Sequence, residues 1–129
     1  VVVGRLVEAS GMAAPLSRLL ADPALHPAVL RAALCAAAAL LAAVMSNTAT
    51  AALLLPIALR IDAGPTSAIL VAVSTSLGCP FVVSTPPNAL AARHGARAGD
   101  LLGPGLALMI GGVILVVLTG PGVLARFGL

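Results

Sequence analysis

The pattern of apolar and polar positions divides the chain into three long apolar runs, Ala32 to Leu59, Ala63 to Ala92 and Leu101 to Ala125, none of which contains Asp, Glu, Lys or Arg. Each is longer than the roughly 20 residues that carry a helix across hydrocarbon. Two of the runs break in the middle. The first meets Ser46, Asn47 and Thr48 inside "LLAAVMSNTATAALLLPIA", and the second meets "STPPN" at Ser84 to Asn88. The pattern predicts a helix from Ala28 to about Met45, a second arm from Ala49 to about Arg60, an 18-residue helix from Thr66 to Val83, and a short piece from about Pro87 to Ala92. A last crossing follows over Leu101 to Ala125, with Gly111 and Gly112 as packing points. Val1 to Leu20, with Arg5, Glu8, Ser10, Ser17 and Arg18 among apolar residues, reads as the end of a membrane helix and an interfacial segment. The expected units are therefore 1–27, a re-entrant hairpin over 28–60, and a broken plus a continuous transmembrane helix over 61–129.

Composition agrees with a membrane chain. Of 129 residues, 60% are hydrophobic and 9% charged, which excludes an ordinary soluble domain. The N-terminus has no basic start and no cleavage-site pattern, and Val1 reads as a cut through a longer chain. The net charge of +3 comes from scattered Arg residues, with no Lys and no Trp or Tyr to stack on bases, so nucleic acid is not an expected partner. Topology is the better account of that charge: "RHGARAGD" (93–100) is expected to face the cytoplasm by the positive-inside tendency. The Ala-rich, Lys-free composition suggests a bacterial inner membrane. Cys35 and Cys79 lie in apolar runs without metal-ligand spacing and read as packing residues.

The two breaks carry the chemistry. Irregular backbone at membrane depth persists only where protein or a wet cavity satisfies it. Ser46 or Asn47 suits the N-cap of the arm that begins at Thr48 or Ala49, so that arm's first amides face the cavity and favour an anion. The arm that ends at Met45 offers carbonyl oxygens, which suit a hard cation such as sodium. At the second break Pro86 and Pro87 lack amide hydrogens and free the carbonyls of Val82 and Val83, which with that of Ser84 are candidate cation ligands. Thr85 is a plausible cap for the following piece, which carries the Asn88 amide. None of the three runs contains an ionisable Asp, Glu, Lys, Arg or His, so any anion is expected to be held by neutral groups, helix dipoles and a bound ion. His26 and His94 lie in loops, and Ser46 has no base in its own segment, which argues against an enzyme.

"SNTATAALLLPIA" followed by "STPPNALA", flanked by "GRLVEASGMAAPLSRLL" and "GARAGDLLGPGLALMIGG", resembles the C-terminal half of the divalent anion:sodium symporter family, the carriers of dicarboxylates, citrate and sulfate. The likeness covers nearly the whole chain. It implies an all-α membrane protein that is one half of an inverted-repeat elevator transporter, a homodimer when complete, with small anions as substrates, sodium as coupling ion and no other cofactor. By that likeness Ser46, Asn47 and Thr48 touch the substrate, Thr85 and Pro86 complete its pocket, and Asn47, Val83 and Ser84 help hold sodium. The family often has Ser or Thr four residues before the hairpin Ser, whereas this chain has Ala42. The alternatives are an arsenite or sodium/proton carrier of the wider ion transporter group, or a structural membrane subunit.

Overall fold

In the computed structural model the described residues are 26–61, 64–79 and 86–128. The N-terminal expectations for 1–25, and those for Val82, Val83, Ser84 and Thr85, lie outside them. Every regular element among the described residues is an α-helix: α1 (Pro27–Val44), α2 (Asn47–Ala58), α3 (Thr66–Thr75), α4 (Pro86–Arg93) and α5 (Ala98–Arg126).

α1 starts at a proline, whose fixed φ and missing amide hydrogen suit the first turn. The preceding residue adds a cap that the sequence reading did not assign: His26 Nδ1 accepts the amide of Ala28 at 3.3 Å. α1 stops when Met45 turns extended at φ −130° and ψ 175°, its amide donating back to Leu41. Here the chain doubles back. On one straight helix Leu34 and Ala58 would lie about 36 Å apart, yet both belong to a single buried cluster with Cys35, Ala38, Leu54, Ile57, Ala68, Leu70 and Val71. α3 closes that cluster over α1 and α2, and at its open end Arg31 Nε donates to the buried hydroxyl of Ser67 at 3.1 Å.

α3 is shorter than the sequence pattern predicts. The expected helix to Val83 ends at Thr75, and Ser76 to Cys79 run as turn and irregular backbone. Local hydrogen bonding explains the stop. The hydroxyls of Ser74 and Thr75 return to the carbonyls of Leu70 and Ala72 at 2.8 and 2.7 Å, and tight turns follow as Leu77 donates to Ser74 and Cys79 to Leu77. Pro80 then biases Cys79 away from helix, the signal that the apolar pattern outweighed.

α5 runs antiparallel to α3. A Cβ on Gly112 would meet Leu77, and one on Gly120 would meet Leu70, so steps of seven residues on α3 and eight on α5 match in opposite directions. Gly112 is a packing point as expected; Gly111 is not, since it is exposed with open space around it, and Gly120 takes the second position. α5 buries little else, chiefly Met109, and leaves Leu106, Leu108, Ile110, Ile114, Leu115 and Leu118 facing outward. Among the described residues, it and α1 are the two helices long and apolar enough to cross a membrane.

The packing also alters the charge argument. Arg31 at the start of α1, Arg60 after α2 and Arg126 at the end of α5 share one end of the bundle, while Arg93 and Arg97 lie at the other. Three against two among the described residues gives no positive bias to the 93–100 loop, because folding α2 back on α1 moves Arg60 to the end opposite that loop.

Candidate functional site

The first break is a two-residue interruption with a defined cap. Ser46 is the N-cap of α2: its Oγ accepts from Ala49 at 3.1 Å, and its carbonyl accepts from Thr50 at 2.9 Å. α2 therefore starts at Asn47, one residue before the earliest expected start. Those two bonds satisfy the third and fourth amides of the helix and leave the amides of Asn47 and Thr48 as its free N-terminal donors. Ser46, Asn47 and Thr48 are all exposed in this part of the chain. Directly before them in the chain comes the C-terminal end of α1, where the Leu41 carbonyl accepts the amide of Met45 at 2.9 Å. One short segment thus presents a positive helix end and a negative helix end side by side.

Gly78 and Cys79 lie between the end of α1 and the start of α4. A Cβ on Gly78 would lie 2.6 Å from the carbonyl carbon of Ala42 and 2.6 Å from the amide nitrogen of Ala43, so the irregular strand after α3 touches the last turn of α1. Next to it, the Cys79 carbonyl accepts from Asn88 Nδ2 of α4 at 2.9 Å. Cys79 Sγ also leans on the carbonyls of Leu77 and Gly105 at 3.4 and 3.9 Å. Asn88 is thus tied to backbone that borders the tip, and its amide serves as an anchor. Gly78 and Cys79 were not marked as site residues in the sequence. "GCP" directly before the apolar Phe81 was the available sign, since glycine permits close approach and proline ends the helix.

The same contacts place the end of α1 along α5. Leu77 lies against Gly112, the middle residue of the 29-residue α5, and Cys79 Sγ lies 3.9 Å from the carbonyl of Gly105, nearer the start of that helix. Between them Gly78 touches Ala42 and Ala43, in the last turn of α1 before Ser46. The last turn of α1 therefore lies beside the N-terminal half of α5.

Among the described residues no group of three or more His, Cys, Asp or Glu could hold a metal. A hard cation needs oxygens instead. The described residues supply the Asn47 amide oxygen and the carbonyls at the end of α1, whereas Ala42, buried at 1% exposure, contributes no hydroxyl. These oxygens fit a weakly held alkali cation in chemical type. Pro86 begins α4, and the remaining residues expected at the second break, Val83, Ser84 and Thr85, lie outside the described residues. Below the tip, Thr50 is fully buried in the first turns of α2 and its Oγ1 has no hydrogen-bond partner.

A family model described as citrate transporter (CitMHS) matches residues 1–127. The chain belongs to the citrate transporter family. That agrees with the symporter-type resemblance carried by "SNTATA" and "STPPN", and this citrate transporter family chain is a multi-pass membrane protein. Comparison with curated proteins and with solved structures gives no match.

Proposed function

We propose that this chain is one half of a secondary active transporter that moves a small divalent anion, citrate, a dicarboxylate or sulfate, with sodium as the coupling ion and by an elevator motion. The observation that supports this reading is the pair of helix ends at the first break: Ser46 caps α2, and Asn47 and Thr48 stand exposed directly after the end of α1. A hairpin of α1 and α2 that enters and leaves on one face would carry its tip to the midplane, where carriers hold their substrates. Free amides of Asn47 and Thr48 accept the anion's oxygens, and Ser46 fixes the helix end that presents them. Oxygens of Asn47, Val83 and Ser84 serve sodium, and Thr85 and Pro86 close the pocket from the second break. The absence of Asp, Glu, Lys, Arg and His from the three apolar runs leaves substrate charge to be met by dipoles and the ion. The complete protein works as a homodimer in lipid.

The test is uptake by the full-length protein in proteoliposomes. Asn47→Ala and Thr85→Ala are expected to abolish citrate, dicarboxylate and sulfate uptake while membrane insertion is unchanged; unchanged uptake of all three would overturn the reading. Uptake driven by a proton gradient alone would favour the proton-coupled alternative.

A further inference from the structure

α3 and α5 leave an open apolar groove of about 270 Å³ between them, lined by Ile69, Leu70 and Val73 on one wall and by Leu115, Thr119 and Val123 on the other. We propose that this groove seats one acyl chain of a membrane phospholipid whose phosphate is paired by Arg126. The proposal does not depend on the transport reading.

Three observations carry it. The first is register. Leu115, Thr119, Val123 and Arg126 follow at spacings of four, four and three, so they form one stripe on α5 and the guanidinium ends the same face that lines the groove. From Leu115 to Arg126 that stripe is about 16 Å long, close to half of the roughly 30 Å hydrocarbon layer. A chain lying in it would run from the interface to the midplane.

The second is polarity. The hydroxyl of Thr119 donates to the Leu115 carbonyl at 2.8 Å, so the groove presents no spare hydrogen-bonding group along its length. At its mouth Arg126 is exposed, with no hydrogen bond or ion pair among the described residues, and the exposed Phe127 follows it. An apolar floor ending in a free guanidinium at the interface complements an acyl chain ending in a phosphate.

The third is access. Val73 and Leu115, on the two walls, are both exposed, so the groove opens along its side to the surroundings of the bundle.

The experiment uses the full-length protein, delipidated in detergent and titrated with 16- to 18-carbon phosphatidylglycerol under native mass spectrometry. One lipid per chain is expected, with Arg126→Gln weakening its binding about fivefold and Val73→Trp, which fills the exposed side of the groove, removing it. Equal lipid retention by wild type and both variants would overturn the proposal. So would inorganic phosphate displacing the lipid at equal potency, or a single cysteine placed at position 73 cross-linking to another segment of the protein.

Discussion

Gly78 lies so close to Ala42 that a side-chain carbon on the glycine would stand 2.6 Å from the alanine's carbonyl carbon and 2.7 Å from its Cβ. This contact joins the irregular backbone after α3 to the end of α1, four residues before Ser46. The opposing atoms are mostly backbone and cannot rotate away. Gly78→Ala is therefore expected to destabilise the protein by about 3 kcal/mol or more, read as a loss of thermal stability of the full-length protein in detergent, with uptake falling in parallel.

Two adjacent glycines should respond to different degrees. Gly111→Ala meets open space and gains helix propensity, about 1 kcal/mol in favour of folding. Gly112→Ala gains the same propensity but sets a methyl group 2.8 Å from Leu77 Cδ2, so that the Leu77 side chain must shift. Melting temperatures of the two single variants check the pair; a larger gain for Gly112→Ala than for Gly111→Ala would contradict the α3–α5 packing.

Thr50 tests whether a hydroxyl is being left unpaired. Its Oγ1 is buried without a partner, and an unmade hydrogen bond of this kind costs about 1–3 kcal/mol. Thr50→Val, of nearly the same shape, is expected to raise stability, whereas Thr50→Ser is expected to leave that cost in place. A drop in melting temperature for Thr50→Val would show that the hydroxyl has a partner.

At the open end of α1 and α2, Arg31 and Ser67 are coupled by their 3.1 Å bond. A double-mutant cycle with Arg31→Gln and Ser67→Ala is expected to give a coupling of about 1–2 kcal/mol, measured by unfolding of the full-length protein. Zero coupling would mean that α3 is held against α1 by apolar packing alone.

Ser46 separates capping from substrate contact. Removing the cap with Ser46→Ala is expected to cost about 1 kcal/mol of stability and to raise the KM for the transported anion. Ser46→Asp restores a cap but sets a negative charge where the anion is proposed to sit, so stability should recover while uptake does not.

Much of this protein was written in local pattern. The absence of charge over three long runs determined that it is an all-helical membrane chain, because hydrocarbon tolerates neither unpaired backbone nor unpaired charge. The Ser-Asn-Thr triplet determined where the first break falls, and Ser46 caps α2 because its hydroxyl reaches an amide only three residues away. Tertiary structure decided the rest. Whether Ser76 to Cys79 stay helical depended on turns and on the approach of Gly78 to Ala42, 36 positions earlier, which no periodicity in the run reveals. Which glycine of α5 packs, Gly112 or Gly111, was set by the side of the helix that meets Leu77, and Gly120 gained its role from Leu70. Asn88 became an anchor because α4 returns to the Cys79 carbonyl. The placing of α3 along α5 was likewise a matter of packing: sequence gives helix lengths, but only contact between Leu77 and Gly112 sets the backbone after α3 against the middle of α5.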